Sequence, residues 1–398
     1  MASVSGFSVS GVHAGLKANG ALDMALIFSD RPCAASGVFT TNLMKAAPVL
    51  FDIQQLAANS DDIRAVVVNT KCANACTGEQ GLANAREMAQ LAAKALNLES
   101  SQVLVMSTGV IGTHLPMQKI ARGIELGANT LGQDWDAASR GIMTTDTRPK
   151  LAIESFDTPN GKVTLTGIAK GAGMIAPNMA TLLSIVVTDA VLSPEQTDRL
   201  LKQAVEPTFN RVVVDGDMST NDTLLLLANG ASGVSIAPNF EAQFADALLK
   251  VCRTLAQAIV RDGEGATKFI TLHVKGAAND AAAKQIANAI ATSPLVKTAF
   301  YGGDANWGRI VAAAGRSGVS FGAASVKLRI AAGETLTDDL LLFENEMPTQ
   351  YSEELATAIV KSPEVYAQLE VGQGTGEAIV YTCDLSHDYV SINGSYRS

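Results

Sequence analysis

The sequence predicts an α/β fold with a second, smaller α/β unit. Short apolar runs of strand length alternate along the chain with longer Ala/Leu-rich segments of helical period, the pattern typical of α/β proteins. The chain has 398 residues, which is more than a single hydrophobic core usually supports. It is also 47% hydrophobic and only 17% charged, as expected for tightly packed layers of helices and strands.

The individual elements follow from this periodicity in chain order. Residues 1–60 carry few strong periods. Apolar or alternating runs predict strands at Ala65–Asn69, Val103–Met106, Lys162–Ala169, Leu182–Val187, Lys268–Lys275, Tyr366–Glu370, Ala378–Cys383 and Tyr389–Ile392. Helical periods predict helices at Gly81–Leu98, Leu115–Leu126, Pro194–Val205 (N-cap Ser193), Ala242–Val260 and Ala281–Ala291 (N-cap Asp280). Alternation of helix and strand over about residues 276–347 predicts the smaller second unit.

The composition excludes several classes of partner. The net charge is −9 and the aromatic content is 5%, which leaves neither a basic block nor many side chains on which bases could stack. Nucleic acid and anionic membranes are therefore not expected partners. No apolar stretch reaches the length of a membrane span, and the first residues lack the features of a targeting peptide. We expect a cytoplasmic protein.

No metal site is predicted. The five cysteines are an odd number and widely scattered, which indicates reduced thiols. Cys72 and Cys76 are four residues apart, but no second Cys or His pair accompanies them, so a zinc site is not expected. Residues 215–221 begin like a calcium-binding loop. However, Thr220 and Leu226 occupy the positions where that loop requires glycine and glutamate.

Residues 170–181, Lys-Gly-Ala-Gly-Met-Ile-Ala-Pro-Asn-Met-Ala-Thr, form a loop between two predicted strands. One interpretation is a phosphate-binding turn, because Gly171 and Gly173 with Ala176 match the spacing of a dinucleotide-binding motif. That motif needs a helix directly after it. Here Pro177 and an apolar run of strand length follow, so this interpretation, a nucleotide-binding module, is disfavoured.

A second interpretation of the same loop is self-cleavage. The Thr181 hydroxyl would attack the Ala180 carbonyl, and water would hydrolyse the resulting ester. The new α-amino group would have a pKa of about 7.7–8.0, so that near neutral pH it could act as the base for its own hydroxyl. A third interpretation is that Thr181 merely opens a strand. These residues alone leave the alternatives open.

Thr108 and Gly109 lie between a predicted strand and a predicted helix. Backbone N–H groups at the entrance of a helix can face an anion, and the same arrangement suits the oxyanion of an acyl-transfer reaction. An ordinary strand-to-helix turn explains the spacing equally well.

Several longer sequence segments, in order along the chain, resemble one enzyme family. Residues 170–181 resemble the self-cleaving segment of the ornithine acetyltransferase family, the bifunctional enzymes of arginine biosynthesis. Further blocks resemble the same family in the same order along essentially the whole chain. They are Gly37–Asn42, Ser107–Gly112, Ile142–Lys150, Phe209–Arg211, Asp215–Thr223, Asp262–Lys268, Gly303–Arg309 and Asp384–Asn393.

The resemblance implies a layered αββα sandwich like that of N-terminal-nucleophile enzymes. It further implies cleavage between Ala180 and Thr181 into an α chain of residues 1–180 and a β chain of residues 181–398, assembled as an α2β2 heterotetramer. The reaction would move acetyl from N2-acetylornithine to glutamate through acetyl-Thr181, without a metal or nucleotide cofactor. Acetyl-CoA is a candidate co-substrate.

The resemblance also implies roles for individual residues. Thr181 would supply the nucleophile and, through its freed amine, the base, and Thr108 and Gly109 would form the oxyanion hole. Lys170 would favour the unprotonated amine and could bind a substrate carboxylate. Glu264 would pair with the side-chain ammonium of ornithine. The further substrate-contacting positions are Thr144, Asn393 and Ser398, and sequence alone does not decide between Thr144 and its neighbour Thr145.

One loop departs from the family pattern, and one alternative activity remains. Lys71 and Cys72 replace the small and amide residues that are common in relatives, which puts the detail of that loop in doubt but not the nucleophile. An aminopeptidase or amidase that uses the same Thr181 would need the same site. The two activities differ in whether water or an amine intercepts the acyl-enzyme.

Overall fold

The computed structural model describes residues 4–176 and 182–394. It confirms the α/β class and contains two compact units, each with its own sheet. The first unit comprises Met1–Met174, Asn178–Asn210 and Asp217–Ile259, and the second comprises Ile175–Pro177, Arg211–Gly216 and Val260–Ser398.

The elements have the following bounds in chain order. The strands are β1 (Phe7–Val12), β2 (Met24–Phe39), β3 (Ile63–Asn69), β4 (Val103–Ser107), β5 (Lys150–Thr158), β6 (Gly161–Lys170), β7 (Leu183–Thr188), β8 (Val212–Val213), β9 (Thr223–Ala228), β10 (Phe269–Ala277), β11 (Lys327–Ala332), β12 (Leu340–Glu344), β13 (Met347–Pro348), β14 (Glu364–Glu370) and β15 (Gly376–Cys383). The helices are α1 (Ala47–Ala58), α2 (Gly78–Leu96), α3 (Met117–Asn129), α4 (Trp135–Gly141), α5 (Pro194–Val205), α6 (Pro238–Arg261), α7 (Asp280–Ala291), α8 (Pro294–Gly302), α9 (Trp307–Gly315), α10 (Glu353–Lys361) and α11 (His387–Gly394).

The first unit is a sandwich because β2 takes part in two layers. Its first half pairs with β1 and β3, whereas residues 34–39 pair with β9, which continues the order β9-β7-β6-β5. Ile27 and Val66 from one layer share a core with Ile168, Ile185 and Leu225 from the other. Two apolar faces that bury the same core are the expected arrangement of packed sheets.

Helices cover the outer faces of both layers. On one side, β2 and β3 contribute Leu26 and Val67 to a second core, into which helices α2 and α3 pack. On the other side, α6 packs so closely against β6 that a Cβ at Gly167 would lie 2.8 Å from Val251. The first unit therefore has the predicted αββα layering.

Strand pairing brings the ends of the functional strands into register. β3 and β4 run parallel and end at the paired residues Asn69 and Ser107. β6 and β7 run antiparallel, and Lys170 pairs with Leu183. The chain immediately after β4 and at the end of β6 carries the predicted site residues Thr108, Gly109 and Lys170.

The second unit has a seven-stranded mixed sheet. Its central strand β10 pairs in parallel with β14 and antiparallel with β15, and α7 packs on that sheet over a core that includes Ile270, Ile286 and Val380. This unit contains all of the predicted segment 276–347 but extends well beyond it, through Val260–Ser398.

Two sequence predictions at the chain ends need correction. The first 60 residues, for which no element was predicted, contain β1, β2 and α1. The predicted strand Tyr389–Ile392 is wrong, because these residues lie in α11. Val390 is 68% exposed, so its β-branched side chain has no sheet against which to pack. Propensity for strand was outweighed here by local hydrogen bonding.

Candidate active site

The predicted lysine and the predicted oxyanion threonine are in direct contact. The Nζ atom of Lys170 donates to Oγ1 of Thr108 over 3.1 Å, and both residues are buried. An ammonium group only donates hydrogen bonds, so it occupies a lone pair of the Thr108 oxygen. The hydroxyl hydrogen of Thr108 is thereby left available for another acceptor, as an oxyanion-hole donor requires.

Gly109 is held in a conformation that suits glycine. Its φ is +136°, and a Cβ there would lie 2.2 Å from the carbonyl carbon of Lys71. The flanking amides are engaged, since Thr108 donates to the Asn69 carbonyl and Val110 to the Lys71 carbonyl. Within residues 4–176 and 182–394, the amide of Gly109 between them has no acceptor. A backbone N–H beside the Thr108 hydroxyl is the arrangement of an oxyanion hole.

A buried ion cluster supports Lys170. Asp146 accepts from Lys150 Nζ at 2.6 Å, from the Gly171 amide at 2.7 Å and from the Thr144 amide at 2.9 Å. Burial alone would raise the pKa of Asp146, but the charges of Lys150 and Lys170 and the Gly171 amide outweigh it and hold that pKa below its usual value. Asp146 is therefore an ionised group that holds the Thr144 amide, the Lys150 ammonium group and the Gly171 amide together.

The second unit brings together two of the predicted substrate contacts. Asn393, on α11, donates from Nδ2 to Oε2 of Glu264 over 2.7 Å. The same nitrogen donates to the carbonyl of Tyr389, one turn earlier. Glu264 is 8% exposed, and the amide orients one of its oxygens. An oriented carboxylate is suited to pair with an ammonium group.

The turn that carries Glu264 contacts α11 closely. Gly265 has a φ of +69°, and a Cβ there would lie 2.6 Å from the Tyr389 amide nitrogen. Ser386 donates from its hydroxyl to the Gly265 carbonyl over 2.6 Å. Glycine at this position therefore allows the helix with Asn393 to approach Glu264.

The same helix connects to the segment that precedes the predicted cleavage site. The Tyr389 hydroxyl donates to Oδ2 of Asp215 over 3.2 Å, and Oδ1 of Asp215 accepts the Ile175 amide over 2.8 Å. The carbonyl of Ile175 in turn accepts from the amide of Val214. Both backbone groups of Ile175 are thus held within the second unit.

The structure places the predicted site residues in two groups. Thr108, Gly109, Lys170 and Thr144 belong to the first unit, and Glu264 and Asn393 belong to the second. The predicted nucleophile Thr181, the predicted cleavage position Ala180 and the predicted substrate contact Ser398 lie outside the described residues.

Sequence reasoning missed three residues that organise these groups, namely Asp146, Lys150 and Asp215. All three lie inside blocks on which the family resemblance was based, but the blocks alone gave them no role. A useful signal was the separation of Asp146 and Lys150 by four residues, which allows a charge pair. Their burial and shared partners could not be inferred from that spacing.

The dinucleotide-binding interpretation finds no support in the described residues. Among the described residues, the first regular element after the glycine motif at 171–176 is the strand β7, beginning at Leu183, whereas a dinucleotide-binding turn needs a helix. In the described part of the chain, no three His, Cys, Asp or Glu side chains are grouped as metal ligands. No helix among these residues is long and apolar enough to cross a bilayer.

A layered αββα unit that presents a hydroxyl and an unengaged backbone amide beside a buried lysine has the donors that an acyl-transfer enzyme requires. Comparison with known proteins identifies which kind. The chain belongs to the ArgJ family, whose model matches residues 8–398. The arginine biosynthesis bifunctional protein ArgJ of Thermotoga neapolitana is 46% identical over 398 residues, 99% of each chain. The protein of the same name from Geobacter sulfurreducens is 47% identical over 99% of this chain and 100% of its own.

A solved structure resembles part of the chain. The ArgJ protein of Bacillus halodurans is 39% identical and covers 53% of this chain and 98% of its own, with a TM-score of 0.50. The family resemblance inferred from the sequence blocks is confirmed.

Proposed function

We propose that this protein transfers acetyl from N2-acetylornithine to glutamate through an acetyl ester on Thr181, after cutting itself between Ala180 and Thr181. The observation that carries the proposal is the contact between Lys170 and Thr108 beside the unengaged amide of Gly109. Such donors can hold the oxyanion that forms when a hydroxyl nucleophile attacks a carbonyl group.

The steps follow from the chemistry of these groups. The Thr181 hydroxyl gives its proton to the α-amine of the same residue and attacks the acetyl carbonyl of N2-acetylornithine. Thr108 and Gly109 hold the oxyanion, and the protonated amine returns the proton to the departing amine of ornithine. The amine of glutamate then attacks the acetyl ester through the same steps in reverse order, and N-acetylglutamate leaves. Each half-reaction exchanges one acyl bond for another.

Lys170 has two roles in this scheme. Its ammonium charge favours the unprotonated state of a nearby amine, because like charges repel, and it stabilises the developing oxyanion. Glu264 would select the donor by pairing with the side-chain ammonium of ornithine, with Asn393 holding its carboxylate. The reaction itself requires no metal or nucleotide, and acetyl-CoA would enter only as an alternative acetyl donor.

The comparison with a solved relative supports cleavage. The Bacillus halodurans chain matches over 98% of its own length yet covers only 53% of this chain, so it is about half as long. A chain of that length is expected if members of the family are cut near the middle. An α2β2 assembly of the two products is the oligomer that we propose.

The test is a single-turnover experiment with mass spectrometry. Mixing the enzyme with N2-acetylornithine alone should release about one ornithine per site and add one acetyl to the fragment that begins at Thr181, as a covalent intermediate requires. The acetyl should remain until glutamate is supplied. Continuous release of acetate without glutamate would instead favour an amidase, and transfer without an acetylated fragment would rule out the Thr181 ester.

A further inference from the structure

Asp222 is a fully buried carboxyl group to which the reaction scheme gives no role. Its Oδ1 atom accepts the backbone amide of Leu182 over 2.8 Å, and its side chain and backbone are 0% exposed. Leu182 is the residue directly after the proposed nucleophile in the sequence. The N–H that Asp222 binds therefore belongs to the peptide bond that joins Thr181 to the rest of the proposed β chain.

The backbone around this contact is held on both sides. The carbonyl of Leu182 accepts from the amide of Thr223 over 3.1 Å, and Leu183 is paired with Thr223 on one side and Lys170 on the other. Strand pairing fixes the chain from Leu183 onward. The Asp222 side chain extends this fixation by one residue towards Thr181, where the ladder itself no longer supplies an acceptor.

The surroundings of the Asp222 carboxyl group draw attention to its contact with the Leu182 amide. Burial raises the pKa of Asp222 well above its usual value, and the Leu182 amide and the charge of Lys170 only partly offset it. The second oxygen, Oδ2, is buried without a hydrogen-bond partner among the described residues. The nearby Thr40 hydroxyl already donates to the Ser219 carbonyl. Such a group is costly to bury, and its hydrogen bond to a backbone amide is directed at the residue that follows the proposed nucleophile.

We propose that Asp222 is a positioning residue for the nucleophile: its carboxyl group anchors the Leu182 amide and so sets where the Thr181 hydroxyl and amine lie. The proposal rests on the proposed function, because it assigns the anchored peptide to the cut enzyme. Once the Ala180–Thr181 bond is broken, residue 181 is attached to the protein only through Leu182. Anchoring that peptide restricts the orientations of the new N-terminus.

The chain offers a matched control in Asp52. This residue is also 0% exposed, its Oδ1 accepts a backbone amide (Val105) over 2.8 Å, and its Oδ2 is buried without a partner in the described part of the chain. Burial likewise raises its pKa well above the usual value. Asp52 lies in the same unit, on α1, and its anchored amide belongs to β4. The two carboxyl groups therefore share their burial and their accepted amide, and they differ in which peptide they hold and in the charge of Lys170, which acts on Asp222.

The experiment compares Asp222→Ala, Asp222→Asn and Asp52→Ala. Rates are normalised to the burst of ornithine, so that unfolded molecules are not counted. We expect Asp222→Ala to slow self-cleavage and to lower kcat by about 100-fold, the loss that misplacing a reacting group by about 1 Å can cause, with KM for N2-acetylornithine unchanged. Asp222→Asn retains an acceptor oxygen of the same shape and should keep both rates within a few-fold of wild type.

Each outcome decides for or against the proposal. Asp52→Ala should lower the melting temperature but leave cleavage and kcat unchanged. Wild-type kcat in folded Asp222→Ala, or a loss in Asp222→Asn equal to that in Asp222→Ala, would overturn the positioning role. If Asp222→Ala does not fold, Asp222→Ser replaces it, because its shorter side chain fills part of the space without reaching the Leu182 amide. A wild-type enzyme that is neither cut nor acetylated would instead refute the proposed function itself.

Discussion

Replacing Thr108 with valine should remove one oxyanion donor while keeping the shape of the side chain. The Lys170 ammonium occupies a lone pair of the Thr108 oxygen. The hydroxyl hydrogen is therefore the donor to the oxyanion, and the valine variant lacks it. Loss of one such donor typically lowers kcat by about 10²–10³, or about 2.7–4 kcal/mol. We expect a loss in that range for Thr108→Val, with little change in KM because ground-state binding does not depend on the oxyanion.

The same substitution should also affect stability. It removes an acceptor from the buried Lys170, and leaving a buried donor with one partner fewer costs about 1–3 kcal/mol. The variant must therefore be assayed at a temperature where circular dichroism shows it folded. Thr108→Ser keeps the hydroxyl and should recover most of kcat.

A second buried threonine provides the control. Thr166, on β6, is 0% exposed, and its hydroxyl has no partner among the described residues. Thr166→Val makes the same chemical change in the same unit and should leave kcat unaltered. The assay is release of ornithine in the first turnover, followed by steady-state transfer to glutamate. A Thr108→Val enzyme whose kcat stays within a few-fold of wild type would show that this hydroxyl is not an oxyanion donor.

Substitutions at three further positions test other parts of the site and fold. Thr181→Ala should remain a single uncut chain without transfer activity by intact mass, whereas Thr181→Ser should still be cut; a fully cut alanine variant would refute the cleavage chemistry. Glu264→Gln should raise KM for N2-acetylornithine far more than KM for an acetylated amino acid that lacks the side-chain ammonium, and equal rises would argue against that pairing. Because burial raises the folded-state pKa of Asp52, the native protein retains a proton that the unfolded chain releases at about pH 3.9, so stability falls as pH rises above that value. Asp52→Asn should therefore match wild type near pH 4 and melt higher than wild type near pH 8, and a constant difference across that range would contradict the assignment.

N-cap residues and apolar runs in the sequence predicted several helices and strands correctly. The helix Pro194–Val205 has the predicted bounds, and its predicted N-cap Ser193 accepts the amide of Gln196 in a capping box. The buried strands around Lys162–Ala169 and Leu182–Val187 appear as β6 and β7 within one or two residues. Apolar content and run length suffice to predict these two strands because both faces of each strand are buried.

The failures have identifiable physical causes. β2 was missed because Asp30, Arg31 and Pro32, all exposed, interrupt its apolar pattern where the strand passes from one layer to the other. α1 was missed because Asp52 faces the core and breaks the helical period. Tyr389–Ile392 has the composition of a strand, but Asn393 bonds back to the Tyr389 carbonyl and stabilises a helical turn. The causes are thus an exposed interruption in β2, a buried carboxyl group in α1 and a local side-chain hydrogen bond in α11.

The site was only partly predictable because its contacts join residues that are far apart in the sequence. Family blocks indicated Thr108, Gly109 and Lys170, but not that Lys170 would donate to Thr108. That contact joins residues 62 positions apart in the sequence, and it depends on the pairing of β6 with β7 and of β3 with β4. Asp146 and Asp215 were missed because their roles consist of fixing backbone amides, for which the sequence carries no spacing rule.

The charges of the first unit relate Asp146 and Lys150 to Asp222. Lys170 affects two buried carboxyl groups, and their environments move the two pKa values in opposite directions: Asp146 is held ionised beside Lys150, whereas burial favours the protonated form of Asp222. Among these four groups, one positive charge therefore exceeds the negative charge. If Asp222 were ionised as well, that excess would vanish. An excess of positive charge in a buried site stabilises an oxyanion and lowers the pKa of an adjacent amine, and both effects are needed when a threonine uses its own α-amine as the base.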